Sequence, residues 1–192
     1  MQGFNMANVT ENENDEFYGI SFSQVETDDD GNTQIRDVKP VTYALMSWWK
    51  GNGNPDTIDI SEDSNYSTLE IQTDLEGIKD GAAALTIYLE ANEVQSSLCC
   101  YIYSSAFAGI DEKAFEGYLN QSIMEYNQTA ICGSLETVPS NIEGKFNLRF
   151  KSSVWMEDIP KGKVEMVRGL VSRSFEEIRN AIQLIFPEFV EA

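Results

Sequence analysis

Alternation of apolar and polar residues predicts most of the strands in this chain. Leu85, Ile87 and Leu89 alternate with Thr86, Tyr88 and Glu90, and the segment LCCYIYS at 98–104 alternates in the same way. A period of two places successive side chains on opposite faces of a strand. Short connections between neighbouring runs favour antiparallel pairing. The predicted strands are residues 69–73, 85–90, 98–103, 129–136 and 145–154.

The segment KFNLRFKSSV at 145–154 has the strictest alternation in the chain. Its expected inward residues are Phe146, Leu148 and Phe150, and its outward residues are Lys145, Asn147, Arg149 and Lys151. This outward row concentrates positive charge in an otherwise acidic protein. It is either a solvated sheet face or a docking strip for an acidic segment of a partner.

Two helices are predicted from apolar spacing together with their end signals. Pro40 suits a first helical turn, and Gly51, Gly53 and Pro55 end the segment that follows it. The expected apolar face of this helix is Tyr43, Leu45, Met46 and Trp49. Asp111 is the expected N-cap of the second helix, with Ile110 and Phe115 as its hydrophobic staple. Its expected apolar face is Phe115, Tyr118, Leu119 and Ile123.

A third helix of roughly six turns is predicted to begin near Pro160 and to end at Pro187. Apolar residues recur along it every three or four positions, which places them on one face. They are Val164, Val167, Val171, Phe175, Ile178, Ile182 and Ile185. Leu170, Ala181, Leu184 and Phe186 make this face wider than packing on a sheet requires. The central residues Phe175, Ile178 and Ile182 belong either to the protein's own core or to a contact with another chain.

The first 38 residues are predicted to form an acidic extension that precedes one domain spanning 39–192. Residues 17–25 and 33–38 have strand character, and TDDDGN at 27–32 is typical of a hairpin turn. The same stretch partly matches a calcium-binding loop, with Asp28, Asp30 and Asp37 at ligand positions. A hairpin turn is the preferred interpretation, because position one is Glu26 and no predicted helices flank the loop.

The residue types in this chain argue against several classes of function. The chain has no histidine, so the commonest general base and transition-metal ligand is missing. Its three cysteines lack the spacing of a zinc site. Carboxylate pairs such as Glu157–Asp158 and Glu176–Glu177 are interpreted as solvated surface. We therefore expect a protein without catalytic residues, bound metal or cofactor.

The net charge of −19 further restricts the partners that we expect. A surface this acidic repels phosphate backbones and anionic membranes, so neither nucleic acid nor a membrane is expected as a partner. The charge either serves solubility or faces a basic partner. No run of about 18 apolar residues and no secretory signal pattern are present, and we expect a cytoplasmic protein.

Adjacent Trp48 and Trp49 cannot occupy one helix face. One of them is therefore expected to be partly exposed or to line a groove. Packing of one ring in the core with partial burial of the other is the plainer interpretation. A binding patch is the alternative, because tryptophan is enriched in interface hot spots.

The order of elements from about residue 40 resembles the YbjN family, whose members share the fold of type III secretion chaperones. The likeness is strongest over residues 68–187. It includes the helix DEKAFEGYLNQSIMEYN at 111–127, the strand pair ICGSLETV and GKFNLRFKSSV, and the final helix at 159–186. Within the strand pair, the matching positions are Gly133, Leu135, Glu136, Gly144, Leu148, Arg149 and Phe150.

The resemblance implies an α+β fold, with an antiparallel sheet of about five strands packed against two to three helices and an extra N-terminal hairpin. It also implies a non-enzymatic adaptor that is chaperone-like or regulatory, binds another protein and possibly forms a homodimer. A sensor for Ca²⁺ or a small ligand on the same scaffold is the alternative. The residues expected to contact a partner are Trp48, Trp49, Leu148, Arg149, Phe150, Phe175, Ile178 and Ile182.

Overall fold

The computed structural model describes residues 22–27, 33–53, 58–60, 65–156 and 163–190. Its first elements are strands β1 (Phe22–Thr27) and β2 (Thr33–Val38), which pair antiparallel with Phe22 opposite Val38. The N-terminal hairpin is therefore confirmed for residues 22–25 and 33–38, and its first strand extends to Thr27; the predicted strand residues 17–21 lie outside the described residues. The turn at 28–32, which carries the possible calcium ligands Asp28 and Asp30, lies outside the described residues.

A second sheet has seven strands within the described residues. Its strands are β3 (Ile58–Ile60), β4 (Tyr66–Asp74), β5 (Ala84–Asn92), β6 (Ser97–Ser104), β7 (Ile110–Asp111), β8 (Ser134–Pro139) and β9 (Lys145–Trp155). The order across the sheet is β3-β4-β5-β6-β9-β7, and β8 also pairs with β9. The predicted α+β class is confirmed. Strands β3 and β7 were not predicted, because two or three residues are too few to show a period.

Four helices accompany the sheet in the described part of the chain. They are α1 (Pro40–Asn52), α2 (Glu112–Ala114), α3 (Asn120–Thr129) and α4 (Lys163–Ile185), and a π-helical turn at Phe115–Leu119 joins α2 to α3. Helix α1 has Pro40 in its first turn, as predicted, and the backbone N–H of Gly53 donates to the oxygen of Trp49 at its end. The six residues before Lys163 are not described, so the predicted start near Pro160 stays a prediction.

The predicted second helix is interrupted at Gly117, whose backbone angles are not helical (φ −92°, ψ −131°). Asp111 accepts a hydrogen bond from the backbone N–H of Lys113, in agreement with its predicted capping role. The predicted apolar face is wrong at Tyr118, which is 65% exposed, whereas Leu119 and Ile123 are buried. The change of backbone direction at Gly117 explains this, because side chains on either side of it no longer follow one helical period.

The strand predicted at 129–136 begins later than expected. Helix α3 continues to Thr129, and the turn after it contains Gly133 with a φ of +78°, so β8 begins at Ser134. In this turn Ile131 is 81% exposed, although an alternating strand would have placed it on a defined sheet face.

The chain forms two compact units. The first comprises residues 1–69, 90–98 and 155–167, and the second comprises residues 70–89, 99–154 and 168–192. The predicted boundary between residues 38 and 39 stays a prediction.

In the first unit, α1 packs on the sheet through a buried hydrogen bond of 2.9 Å between the hydroxyls of Thr42 and Ser67. The carboxylate of Glu93 accepts the backbone N–H of Thr42, which is one of the unpaired amides of the first helical turn. The buried apolar side chains of the helix are Val41, Ala44, Leu45, Met46 and Trp48. Tyr43 and Trp49 are only half-buried, so the predicted face is displaced toward Val41 and Trp48.

In the second unit, α4 covers one face of the sheet. Ser174 of α4 and Ser152 of β9 are both buried, and their hydroxyls lie 2.7 Å apart. Leu148 and Phe150 have the same strand parity as Ser152 and are also buried, together with Leu85, Ile87, Cys100 and Ile102 on the neighbouring strands. The predicted inward residues of these strands are therefore confirmed, apart from half-buried Phe146.

Candidate protein-binding surface

The structure divides the predicted contact residues into buried and accessible sets. Trp48 is 8% exposed, Leu148 is 1% exposed, and Phe150, Ile178 and Ile182 are fully buried. These five side chains present almost no surface, so their prediction as partner contacts is corrected: they form the core of their units. Trp49, Arg149 and Phe175 are half-buried, and their role as contacts stays a prediction.

Trp48 and Trp49 show the plainer of the two arrangements expected for adjacent tryptophans. Their ring centroids lie 5.7 Å apart, with Trp48 buried and Trp49 half-buried. One ring therefore fills the core of the first unit, and the other remains partly accessible.

Arg149 organises the face of the second unit's sheet that lies opposite α4. Its Nε and Nη2 atoms donate to Oε2 of Glu136 at 3.0 and 2.9 Å, and its Nη1 atom donates to the hydroxyl of Tyr103 at 3.1 Å. The guanidinium carbon lies 4.7 Å from the centroid of the Tyr101 ring, which is a cation–π distance. The side chain is thus fixed by three hydrogen bonds and one stacked ring.

Strand register explains why Glu136 is the partner of Arg149. The β8–β9 pairing sets Glu136 directly opposite Arg149, so the two side chains leave the sheet on the same face. Lys151 lies two residues further along β9, and its Nζ is 3.6 Å from Oε1 of the same carboxylate. The Glu136 carboxylate therefore forms ion pairs with both Arg149 and Lys151.

Tyrosine rings extend this face across β5 and β6. The rings of Tyr88 and Tyr103 meet edge to face, with centroids 5.8 Å apart and planes inclined by 87°. Burial raises the pKa of Tyr88, and the nearby carboxylate of Glu70 raises it further. We call this set the tyrosine–arginine cluster; it consists of Tyr88, Tyr101, Tyr103, Glu136, Arg149 and Lys151.

The charge on Arg149 is stabilised by its neighbours. Burial by itself lowers the pKa of Arg149, but the hydrogen bonds with Tyr103 and Glu136 outweigh this effect and raise the pKa above its ordinary value. The predicted basic strip is therefore not a row of separate cations, because Arg149 is already paired within the protein. Sequence spacing located Arg149 and Lys151 but did not reveal this pairing.

Glu177 corrects a second interpretation of the sequence. It was assigned to solvated surface, yet it is only 6% exposed. Its Oε2 accepts the hydroxyl of Tyr126 at 2.9 Å, and its Oε1 accepts the backbone N–H of Ile131 at 3.0 Å. Glu177 thus holds α3 and the following turn against α4, and its contacts identify it as a structural residue.

The outer edge of β8 is bonded by a side chain instead of another strand. The amide of Asn127 donates to the backbone oxygen of Leu135 at 3.1 Å and accepts the backbone N–H of Leu135 at 2.8 Å. Both hydrogen-bonding groups of Leu135 are therefore occupied at a position where a partner strand would pair. The sheet face opposite α4, whose side chains are half-buried, is thus the better candidate for contacts than this edge.

None of the three cysteines forms a disulfide, and Cys100 is buried. Burial raises the pKa of Cys100 from 9.0 to about 12, while the nearby hydroxyls of Ser174 and Ser152 act in the opposite direction. Burial also raises the pKa of Cys132, and the charge of Glu177 adds to this effect. A buried thiol with a raised pKa is chemically inert at neutral pH, so Cys100 is assigned to the core.

We expect the free energy of unfolding to fall as the pH rises above about 9. The unfolded chain loses the Cys100 proton near pH 9, whereas the folded protein keeps it up to about pH 12. Between these values unfolding releases a proton, and stability falls by about 1.4 kcal/mol per pH unit for this group. Urea unfolding of the wild type and Cys100→Ala from pH 7 to 10.5 measures this contribution, and the variant should lose less stability above pH 9. Equal losses in both proteins would contradict it.

A cavity of about 470 Å³ lies between the end of β4 and the start of β5. Its lining includes Asp74, Glu76 and Asp80. In volume it matches a small-ligand site. Across the described ranges, however, no three potential metal ligands come together in a group that could hold an ion.

The described helices include none with the length and apolarity needed to cross a bilayer.

Similarity to a known protein is found among solved structures. No family model matches the chain, and no curated protein matches it. Among solved structures, the chain is similar to YbjN from E. coli, a proposed transcription regulator. The aligned region covers 76% of this chain and 95% of that chain, with 13% identical residues and a TM-score of 0.45.

Proposed function

We propose that this protein is a non-enzymatic adaptor that binds a segment of another protein on the tyrosine–arginine cluster. The observation that carries the proposal is the contrast between the two faces of the second unit's sheet. One face is packed under α4, whereas the other presents three tyrosines and a fixed arginine that are only half-buried. The identity of the bound protein would decide whether the adaptor acts as a chaperone or as a regulator.

Tyrosine and arginine suit such a surface for physical reasons. Both are enriched in interface hot spots, because they offer a large contact area together with hydrogen-bonding groups. The contacts of Arg149 with Glu136, Tyr101 and Tyr103 order its side chain before any partner arrives. Binding then costs little additional side-chain entropy.

The proposed partner segment carries an acidic residue. β9 contributes Lys145, Arg149 and Lys151 and contains no acidic residue. Lys151 lies 3.6 Å from Glu136, which is longer than a hydrogen bond, so its ammonium has donors to offer a partner carboxylate. We place the adaptor in the cytoplasm, where its three thiols stay reduced.

A photo-crosslinking amino acid at position 88 tests this function in the organism that encodes the protein. Benzoylphenylalanine replaces Tyr88 with a similar ring, and the same group at exposed Gln183 on α4 provides the matched control. We expect a discrete crosslinked product with another polypeptide from position 88 and not from position 183. In a Lys151→Ser background, the yield of that product should fall at least severalfold, because the partner's acidic residue loses its contact with the Lys151 ammonium.

Two outcomes would overturn the proposal. One is the absence of any protein adduct at position 88 when the labelled protein is folded and expressed normally. The other is the same set of adducts at positions 88 and 183, which would indicate collisions without a defined surface.

A further inference from the structure

Charged side chains are distributed unevenly over the sheet face that lies opposite α4. On β4, Glu70 and Asp74 share one strand parity, and both are exposed. On β9, the parity that carries Lys145, Arg149 and Lys151 contains no acidic residue. Side chains of one parity leave a strand on the same face, so β4 contributes negative charge and β9 contributes positive charge.

A row of contacts joins the two charged sides of this face. Burial raises the pKa of Tyr88, and Glu70 raises it further through its charge and a hydrogen bond, so this carboxylate adjoins the Tyr88 hydroxyl. The Tyr88 ring meets the Tyr103 ring edge to face at 5.8 Å, and the Tyr103 hydroxyl accepts a hydrogen bond from Nη1 of Arg149 at 3.1 Å. The row thus crosses β4, β5, β6 and β9, and all four residues belong to the second unit.

The distance between the two charged sides limits the conformation of a segment that contacts both. Glu70 and Arg149 are three interstrand spacings apart, which amounts to about 14 Å. In an extended segment, side chains at i and i+4 are about 13 Å apart and point to the same side, as does the side chain at i+2. In a helix this length is about nine residues, which rotate the chain by about 180° and place the two charges on opposite sides. The spacing therefore favours an extended segment.

Both sides of the face retain charge for a partner. At the basic side, Arg149 and Lys151 carry two positive charges against the single carboxylate of Glu136. Hydrogen bonds with Glu136 and Tyr103 use three of the five N–H donors of Arg149. At the acidic side, Glu70 is exposed, and no cation among the described residues pairs with it. A segment with one basic and one acidic residue therefore complements the charges of this face.

We infer that the partner segment bound by the tyrosine–arginine cluster is extended and carries a basic residue four positions away from its acidic residue. The acidic residue pairs with Arg149 and Lys151, and the basic residue pairs with Glu70. The residue midway between them is apolar and packs on the rings of Tyr88 and Tyr103. This inference rests on the function proposed above and adds the charge spacing and the conformation of the bound segment.

The test compares short peptides, blocked at both ends, by NMR titration of the full chain. Lys-Ser-Leu-Ser-Glu has the inferred spacing, whereas Lys-Glu-Leu-Ser-Ser has the same composition with adjacent charges. The wild type should bind the first at least about threefold more tightly, since a partly exposed ion pair contributes up to about 1 kcal/mol. Glu70→Lys should instead prefer Glu-Ser-Leu-Ser-Glu. The matched control is Glu176→Lys, which makes the same change of net charge at an exposed position of α4 and should keep the wild-type preference.

Three results would overturn the inference. They are no binding of Lys-Ser-Leu-Ser-Glu at millimolar concentration, equal affinity for its isomer with adjacent charges, and the same peptide preference in Glu70→Lys and Glu176→Lys. If Glu70→Lys lowers the melting temperature, Lys151→Glu takes its place and should prefer Lys-Ser-Leu-Ser-Lys, with exposed Lys113→Glu as its control. A crosslinked partner at position 88 together with any of the three results would remove the inferred charge spacing and leave the proposed adaptor function in place.

Discussion

Replacing Gly133 by alanine is expected to lower the free energy of unfolding by about 2–5 kcal/mol. Gly133 has a φ of +78°, and a Cβ there would overlap the backbone oxygen of Lys151 and lie 2.6 Å from Cζ of Phe150. Backbone strain at positive φ accounts for about 1–2 kcal/mol of the loss. The overlap adds about 1–3 kcal/mol, because β9 and the buried Phe150 ring must move. Urea unfolding followed by circular dichroism gives the value.

Gly144→Ala is the matched control for this substitution. Gly144 has a similar φ of +71°, but no atom of the described residues lies within 4 Å of the position that its Cβ would occupy. It should therefore show the strain alone, about 1–2 kcal/mol. Equal losses in the two variants would mean that the turn after α3 yields easily and that Gly133 is retained only for its backbone angles.

The strands of the second unit were predictable because their pattern is local. Ile87 is buried and Tyr88 is half-buried, as their alternation indicated, and the same holds for Leu148 and Arg149 in β9. A strand with one packed face imposes this alternation on its own sequence. Antiparallel pairing was expected from several such strands with short connections, whereas the α+β fold was what the family resemblance implied.

Contacts between distant segments could not be predicted in this way. Glu177 accepts the hydroxyl of Tyr126 from another helix, and nothing in the local sequence distinguishes it from exposed Glu176. The pairing of Arg149 with Glu136 depends on the register of β8 and β9, which the loop between them sets. Helical periodicity also failed beyond Gly117, where the chain departs from helical angles.

The apolar face of α4 illustrates what a sequence period can and cannot decide. Spacing of three and four residues predicts which side chains share a face, but it does not say what covers that face. Ile178 and Ile182 are fully buried in the second unit, whereas Leu184 is 51% exposed and Val164 is 38% exposed. Self-association through α4, which we retain as a proposal, would therefore have to use Leu184 or half-buried Phe175 instead of the central isoleucines.

Ile178→Asp is accordingly expected to destabilise the fold by about 4 kcal/mol or more, and Leu184→Asp by about 0.5 kcal/mol or less. The first change removes a packed side chain and places a carboxylate where Ile178 has no contact with solvent. The second keeps its carboxylate in water on the same helix. Urea unfolding measures both losses, and sedimentation equilibrium of wild type and Leu184→Asp determines whether the exposed part of α4 joins two copies. A different outcome would contradict this assignment: an Ile178→Asp protein that stays folded and stable but sediments as a monomer where the wild type is a dimer. In that case Ile178 would lie in an interface between two copies, because dissociation would expose the new carboxylate to water and leave the fold intact.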